Sequence, residues 1–338
     1  MSRFLLAVAV AGIASSLDAS AAEHMLTPSP QTVHVGYFSA ALKPVLTVAS
    51  GDIVALEASC NIDPAFVDKS GVVPPSAVRD YTRAIFREIT DRGHIKTGPI
   101  YVNGSMPGDV LEVRILDVGL SVPYGYNRFR PTGGTLPQEF KDEWLRIIPI
   151  DLQARTAQLA PGVVLPVNRP FFGNMGVAPP AEMGRIGSGP PGFHTGNIDN
   201  KELVAGTTLY MPVHVPGALF SVGDPHAAQG DGEVNQFAIE TGLRGRFELI
   251  VRKDMKLTWP RAETPTHWMV MGLHPNLEEA MKIAVRETID FLAKRFPQLT
   301  REEAYMIASV AVDYRVTQVV DGTKGVHGMI PKSIFAAR

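Results

Sequence analysis

The sequence contains little cysteine and no block of like charge. Cys60 is its single cysteine, so intrachain disulfides and thiolate-cluster metal sites are excluded. The residues beside Cys60 lack a cysteine-protease signature, and we interpret it as a half-buried residue at a strand end. The formal net charge is −2, and phosphate binding requires a basic stripe. The charge pattern therefore argues against nucleic acid as a partner.

Several catalytic motifs are also missing. The sequence has no G-x-S-x-G elbow, no Walker loop and no H-E-x-x-H, which argues against an α/β-hydrolase, a P-loop enzyme and a zincin. Residues 187–192 match G-x-G-x-x-G literally, but no strand precedes them and two prolines prevent a helix from starting there. They also lack the paired serines and the lysine of a Ser-rich amidase loop. We interpret this segment as a loop that approaches the site.

Long apolar runs are scarce, and the most extended of them lies near the N terminus. Residues 4–14 are uniformly apolar, which is too short for a membrane span of about 20 residues. Arg3 precedes this run and the small residues 19–21 follow it, in the order of a secretory signal. We predict a signal peptide over residues 1–21, cleavage after Ala21, and a secreted or periplasmic protein without stable membrane insertion.

Glycine and proline are plentiful and are spread along the chain as turns, with 31 and 27 copies. Short alternating runs lie between them, which is typical of strands. Residues 44–58 predict a hairpin around a Ser-Gly-Asp turn, and residues 109–120 predict a half-buried strand. Residues 203–215 and 246–257 have similar patterns. The fold class predicted is mainly β, with a sandwich or barrel-like core over residues 32–260.

The C-terminal part changes to helical periodicity. Asn276 is followed three residues later by Glu279, and Thr300 by Glu303, which are capping-box patterns. An apolar face at helical spacing follows each pair, and Pro297 ends the first helix. We predict a helical hairpin over about 276–315 that packs on the β core. Residues 22–338 would then form one catalytic domain with an α+β C-terminal part.

Residues with catalytic chemistry concentrate between His194 and Glu233. Asp224 and His226 are two positions apart, so both side chains of an extended segment point to one face. A carboxylate with an imidazole suits zinc or a similar divalent ion. Glycines at 223, 230 and 232 allow tight turns that return Glu233 toward the same point. Asp199 and His194 could join from the preceding segment.

A structural interpretation competes with this one. Gly-Asp and Asp-Gly pairs commonly form turns, so Asp224 and Asp231 could serve only as turn residues. A single histidine beside proline is usually a surface residue. The whole set, with six ionisable groups, two amides and repeated glycine in two short loops, exceeds what turns require. We therefore favour a functional site.

Four ordered stretches resemble the acetamidase/formamidase family: residues 34–52, 94–113, 194–199 and 217–233. The last, from Gly217 through Asp224-Pro-His226 to Glu233, is the most specific, and the resemblance extends over about 32–334. It implies a β-rich fold with a helical C-terminal portion, hydrolysis of short linear amides such as formamide or acetamide to acid and ammonia, and a divalent metal, often zinc. The signal sequence is unusual for an enzyme of cytoplasmic nitrogen metabolism, which leaves the natural substrate open.

Roles are assigned from residue chemistry within the stretches that the resemblance marks. We expect the metal ligands Asp199, Asp224 and His226, the catalytic residues Glu233 and His194, and the substrate-binding residues His94, Asn197 and Gln229. The expected partner is a small-molecule amide, and a homo-oligomer is compatible with a β-rich enzyme. Two alternatives stay open: an exported metal- or ligand-binding protein without turnover, and a hydrolase of lactams or other carbonyl–nitrogen bonds.

Overall fold

The computed structural model describes residues 21–335 of the chain. The strands described are, in chain order, β1 (Glu23–Leu26), β2 (Val33–Val35), β3 (Tyr37–Ser39), β4 (Leu46–Val48), β5 (Ile53–Ala58), β6 (Ile95–Val102), β7 (Val110–Leu120), β8 (Tyr124–Phe129), β9 (Trp144–Asp151), β10 (Thr156–Ala160), β11 (Val163–Pro166), β12 (Phe171–Gly176), β13 (Arg185–Gly187), β14 (Thr195–Asn197), β15 (Thr207–Pro212), β16 (Phe220–Ala228), β17 (Ile239–Glu240), β18 (Leu243–Arg252), β19 (Arg261–Glu263), β20 (His267–His274), β21 (Asp313–Gln318) and β22 (Lys324–Pro331). The α-helices described are α1 (Pro64–Ser70), α2 (Asp80–Glu88), α3 (Leu277–Arg295) and α4 (Arg301–Val310).

Most strands belong to two large sheets. One has nine strands in the order β1-β5-β18-β7-β15-β19-β20-β22-β21. The other has eleven strands, with the path β11-β10-β9-β8-β17-β16-β12-β14 and with β6 joining β16 to β2 and β4. Strands β3 and β13 form a small separate pair. The mainly β architecture predicted from the alternating runs is confirmed.

The two large sheets share one apolar core. Phe247 of the nine-stranded sheet packs edge-on against Phe172 and Phe220 of the other sheet, with ring centroids 5.5 Å and 6.3 Å apart. All three rings are fully buried. Burial of apolar surface between sheets is the main force that holds a β-sandwich together. This core fixes the position of strands β12 and β16, which carry the site described below.

The hairpin predicted for residues 44–58 is wrong in its pairing. Both strands form, as β4 and β5, but β4 pairs with β6 in the eleven-stranded sheet, whereas β5 pairs with β1 and β18 in the nine-stranded sheet. The Ser-Gly-Asp turn therefore transfers the chain from one sheet to the other. Asp52 stabilises this turn by accepting a hydrogen bond from the Ala49 amide. Alternation in the sequence indicates a strand but does not identify its partner.

The predicted half-buried strand corresponds to β7, and its apolar residues Leu111, Val113 and Ile115 are buried as expected. The opposite face is not uniformly exposed, because Glu112 is buried as well. Its carboxylate accepts hydrogen bonds from Arg114 at 2.7 Å and from Arg252 at 2.6 Å. These two charged donors compensate for the cost of removing the carboxylate from water.

The helical hairpin is present as α3 and α4. The Asn276 side chain accepts a hydrogen bond from the backbone amide of Glu279 at the start of α3. Thr300 and Glu303 form a reciprocal capping box at the start of α4. Helix α3 packs on β20 and β22, where Gly272 leaves room for the close approach of its backbone. The prediction that this hairpin packs on the β core is confirmed. After α4 the chain returns to the nine-stranded sheet as β21 and β22.

Two further results concern the N-terminal half. Helices α1 and α2 lie within the region predicted as β-rich, and the N-cap Asp63 of α1 accepts a hydrogen bond from the Ala65 amide. Cys60 is fully buried, and this burial raises the pKa of its thiol. In residues 21–335, no helix is long and apolar enough to cross a membrane. The predicted signal peptide, except for Ala21, lies outside the described residues.

Candidate active site

The sheet order brings distant parts of the chain to one place. Strands β17, β16, β12 and β14 are consecutive neighbours in the eleven-stranded sheet. Asp224 and His226 lie on β16, Glu240 ends β17, and Asp199 follows β14. The loop after β16 returns Glu233 to the same point. All five side chains are buried.

Two overlapping groups of metal-ligand atoms result. The side chains of Asp199, His226 and Glu233 each offer one such atom, and these lie within 4.8 Å of one another. Asp224, His226 and Glu240 form a second group by the same criterion. The Nε2 atom of His226 is 3.3 Å from Asp224 Oδ2 and 3.2 Å from Glu240 Oε2. The imidazole is therefore shared by both groups.

Several of these atoms have no hydrogen-bond partner among the described residues. Asp199 Oδ1 and Glu233 Oε2 are buried without any such partner. His226 Nε2 and Glu240 Oε2 are buried as well, and they face each other at 3.2 Å as an ion pair that lacks hydrogen-bond geometry. Buried polar atoms are normally paired, and an exception requires an explanation such as a bound ion. Carboxylate oxygens and an imidazole nitrogen are the donors that zinc and similar divalent ions accept. The residues present therefore fit a divalent cation.

A hydrogen-bond relay orients His226 toward this cluster. The Nδ1 atom of His226 is 2.9 Å from Gln229 Oε1, and Gln229 Nε2 donates to the backbone oxygen of Asp199 at 2.8 Å. Because the amide of Gln229 presents its oxygen to the ring, Nδ1 carries the proton. Metal-binding histidines usually have such a partner on the other nitrogen. Gln229 thus contacts His226 and the Asp199 backbone.

The backbone at the site has unusual dihedral angles. Asp199, Asp224 and Glu233 have φ values of 48°, 55° and 45°. Residues other than glycine seldom adopt this left-handed region, which costs about 1–2 kcal/mol each. Such strain is concentrated at functional sites, where the surrounding structure holds it in place. Three strained carboxylates in one cluster are an independent indication of function.

Gly173 on β12 provides the space that the cluster occupies. A Cβ atom at this position would lie 2.3 Å from Asp199 Oδ1, 2.8 Å from Asp224 Oδ2 and 2.8 Å from His226 Cε1. These distances are shorter than van der Waals contact, so even alanine does not fit beside the three side chains. The φ angle is not the constraint here, because Gly173 has no positive φ.

Burial and mutual repulsion dominate the electrostatics. Burial raises the pKa of Asp199 and of Glu233, and neighbouring carboxylates add to both shifts. Burial alone would raise the pKa of Asp224, but His94 and His226 outweigh it and lower that pKa. Burial would lower the pKa of His226, but Glu240 and Asp224 raise it well above its usual range. The same excess of negative charge would favour a divalent cation.

A cavity of about 660 Å³ opens onto the cluster. Its floor includes Asp224, Glu233, Glu240 and Asp321. Its walls are formed by α1, α2, β8 and the loop that contains Ser188. Phe66 of α1 and Phe86 of α2 line these walls. Residues 187–189 of the predicted loop do approach the site, but the prediction that no strand precedes residues 187–192 is wrong, because the short strand β13 runs into them. A small molecule in the cavity could therefore contact the carboxylates directly.

His94 and Asn197 also line this cavity. His94 Nδ1 lies 3.0 Å from the backbone oxygen of Ser188, and its Nε2 lies 3.9 Å from Asp224 Oδ2. The Nδ2 atom of Asn197 donates to Asp199 Oδ2 at 2.7 Å and to Asp321 Oδ2 at 3.0 Å. Asn197 therefore holds two carboxylates, while one edge of the His94 ring faces the cavity.

His194 is not part of the carboxylate cluster. Its ring packs edge-on against Phe38 and Phe193, with centroid distances of 5.2 Å and 5.7 Å. Neither ring nitrogen has a hydrogen-bond partner among residues 21–335. Burial lowers the pKa of His194 to about 3, so the ring is neutral at physiological pH. A catalytic role for His194 stays a prediction, and its contacts are aromatic.

Glu240, Asp321 and Lys96 are site residues that the sequence analysis missed. A glutamate within the apolar stretch 237–243 was a signal for a buried charge, whereas Asp321 before Gly322 resembles an ordinary turn. Gln236 Nε2 donates to Asp321 Oδ1 at 3.1 Å. Lys96 is fully buried near Asp224, and burial lowers its pKa to about 7.

The fold and the site define a β-sandwich protein with a buried centre of carboxylates and one histidine beneath a cavity. The model of the Acetamidase/Formamidase family matches residues 27–187 and 185–337 of this chain. The chain belongs to the acetamidase/formamidase family, which confirms the resemblance seen in the sequence.

Individual relatives agree with this assignment. The acetamidase of Mycolicibacterium smegmatis is 30% identical over 210 residues, which cover 44% of this chain and 51% of that protein. The chain thus spans about half the length of the curated relatives it matches. The crystal structure of an acetamidase from Yersinia enterocolitica has a TM-score of 0.80 at 27% identity and covers 95% of both chains. That of an acetamidase from Bacillus halodurans has a TM-score of 0.78 at 30% identity and covers 92% of this chain and 98% of that one.

Proposed function

We propose that this protein is a metal-dependent amidase that hydrolyses linear amides of the formamide and acetamide type to a carboxylic acid and ammonia. One observation carries the proposal. Buried ligand-type atoms of Asp199, His226 and Glu233 converge beneath a cavity large enough for a substrate, and Asp199 Oδ1 and Glu233 Oε2 have no hydrogen-bond partner among the described residues. Membership of the acetamidase/formamidase family supports the reaction class.

Asp199, Asp224 and His226 would hold the cation, with Glu240 as a further ligand beside His226. A bound divalent cation would supply Lewis-acid polarisation of the amide carbonyl. The chain contributes the orientation of the ligands, since Gln229 fixes the His226 ring and Asn197 fixes the Asp199 carboxylate. All these groups are buried at the base of the cavity.

Glu233 is the proposed proton carrier. Its carboxylate lines the cavity, and its Oε2 has no hydrogen-bond partner among the described residues. Burial raises the pKa of this carboxyl group, which makes its carboxylate form a stronger base. Glu233 would accept a proton from the attacking water and deliver it to the amide nitrogen, which leaves as ammonia.

His94 and Asn197 are the proposed substrate-binding residues. Nδ1 of His94 lies 3.0 Å from the Ser188 backbone oxygen, which leaves Nε2 available to a ligand in the cavity. An amide NH₂ group in the cavity could donate to this atom. Gln229 acts instead from behind His226, where it orients the ring.

The test combines metal analysis with an activity assay on the purified protein. We expect a bound divalent ion, and release of ammonia from formamide, acetamide or propionamide that a chelator abolishes and metal restores. Metal content without ammonia release from any amide would favour the alternative of a binding protein without turnover. Turnover that resists complete removal of metal would contradict the metal-dependent mechanism.

Glu233→Gln separates proton transfer from metal binding. General acid–base catalysis typically contributes about 10²–10⁴-fold, so we expect kcat for acetamide to fall by at least about 100-fold while metal content is retained. Asp231→Asn is the matched control, because Asp231 is an exposed carboxylate on the same loop. Loss of metal from Glu233→Gln would instead make Glu233 a ligand, in agreement with its place in the first group of donor atoms.

A further inference from the structure

The cavity is larger than formamide or acetamide requires. Its volume of about 660 Å³ lies within the range of about 300–1,000 Å³ that is typical of pockets for drug-sized ligands. Formamide and acetamide are not much larger than water and would leave most of this space to solvent. The volume indicates an amide with a longer acyl group.

Strand β8 supplies a row of side chains along one wall. Tyr126 and Arg128 line the cavity as alternate residues of β8. Arg130, which directly follows the end of this strand, lines the cavity as well. Tyr126 is paired with Glu240 in the sheet, so the row starts at the carboxylate floor. Each step of two residues adds about 7 Å. Arg128 is one such step from Tyr126 along the strand, and Arg130 follows the strand end at Phe129.

The two guanidinium groups lie over the same aromatic ring and differ in their pairing with carboxylates. Both lie over the ring of Phe237, at 4.8 Å for Arg128 and 5.4 Å for Arg130. The carboxylate nearest to Arg128 belongs to Glu143, 3.9 Å away, and the buried Nε of Arg128 has no partner in residues 21–335. No described carboxylate lies within 4 Å of Arg130. Burial and the charge of Arg128 lower the pKa of Arg130.

Apolar side chains occupy the space around this row. Phe66, Phe86, Ile89 and Leu145 line the same cavity. A hydrocarbon chain could pack against them between the polar floor and the two arginines. The cavity therefore presents a carboxylate floor, apolar side chains and two arginines, of which Arg130 has no described carboxylate within 4 Å.

We propose that the substrate is an amide whose acyl chain ends in a carboxylate, that is, the monoamide of a dicarboxylic acid. This inference rests on the proposed amidase function. The distal carboxylate binds Arg128 and Arg130, since planar guanidinium groups recognise carboxylates through paired hydrogen bonds. Hydrolysis breaks the amide C–N bond, adds the oxygen of water to the acyl carbon, and releases ammonia and a dicarboxylate.

Kinetics on two amides of equal length test the proposal. Adipamic acid and hexanamide have the same chain length and differ only in the distal carboxylate. Charge-assisted hydrogen bonds are among the strongest in proteins, so we expect kcat/KM to be at least about tenfold higher for adipamic acid. Equal values for the two amides would overturn the proposal.

Arg128→Gln keeps much of the side-chain length and removes the charge. We expect it to lower the ratio of kcat/KM for adipamic acid to that for hexanamide by about tenfold. Arg146→Gln is the matched control, because Arg146 lies on the neighbouring strand β9 over the Trp144 ring and outside the cavity. It should leave the ratio unchanged. A ratio that does not change in Arg128→Gln would contradict the assignment.

A binding measurement distinguishes failure of this inference from failure of the proposed function. Calorimetric titration of the purified metal-loaded protein with adipate and with hexanoate requires no turnover. We expect adipate to bind at least about tenfold more tightly, and this preference to be lost in Arg128→Gln. Equal affinities for adipate and hexanoate would contradict the inference even if acetamide is hydrolysed. Tight adipate binding without hydrolysis of any amide would support the anion site and refute the amidase.

Discussion

Gly173 occupies a position where the site leaves no room for a side chain. Its missing Cβ would overlap Asp199 and Asp224 and come within 2.8 Å of His226. The strand β12 around Gly173 is fully buried, so the backbone cannot move away easily. The three ligand candidates would have to shift instead.

We therefore expect Gly173→Ala to weaken metal binding. Overpacking costs about 1–3 kcal/mol, which corresponds to about 5- to 150-fold in a binding constant. Competition with a chelator would measure the metal affinity, and ammonia release would measure activity. Gly230→Ala is the control, since a Cβ there meets nothing within 4 Å. Unchanged metal affinity in Gly173→Ala would mean that the cluster does not need this space.

At the residue scale, the sequence predicted the part of the site that is local. Asp224 and His226 face the same cluster, as their spacing on one strand requires. The glycines after β16 return Glu233 to it, again as expected. Glu240 and Asp321 could not be inferred in the same way, because their proximity depends on the order of strands in the sheet and on the turn after β21.

At the scale of elements, the contact between α3 and β20 depends on one glycine. A Cβ on Gly272 would lie 2.0 Å from the backbone oxygen of Ala280 and 2.6 Å from the nitrogen of Ala284. Both are helix backbone atoms and cannot rotate away. The helix approaches the sheet so closely only because Gly272 has no side chain.

Gly272→Ala should accordingly lower thermal stability and leave the site intact. We expect a loss of about 1–3 kcal/mol in the free energy of unfolding, measured by thermal or urea denaturation, with kcat for acetamide unchanged. Gly187→Ala is the control, since nothing lies within 4 Å of its added Cβ. Equal melting temperatures for Gly272→Ala and the wild type would show that α3 can shift at no cost.

The elements themselves differ in how well the sequence predicted them. The helical hairpin was predictable because Asn276, Thr300 and Glu303 are local capping signals. The prediction of a hairpin at residues 44–58 was wrong. Its turn is encoded locally, whereas the strands that pair with β4 and β5 are distant in the sequence. Helices α1 and α2 are short, and such segments carry little periodicity.

For the whole molecule, we propose export through the predicted signal peptide. The backbone nitrogen of Ala22 donates to Asp52 Oδ1 at 3.0 Å. Cleavage after Ala21 would convert this amide into an ammonium group paired with that carboxylate. Expression of the full sequence in a bacterium with a periplasm should give a periplasmic protein that begins at Ala22, as read by N-terminal sequencing. A cytoplasmic product that retains residues 1–21 would refute export.

The turn at residues 50–52 joins the two layers of the molecule. It commits β4 and β5 to opposite layers although only a few residues separate them. A change that disturbs this turn would therefore displace strands of both sheets at once. Asp52, which accepts a hydrogen bond from the Ala49 amide, is accordingly a residue on which the alignment of the two layers depends.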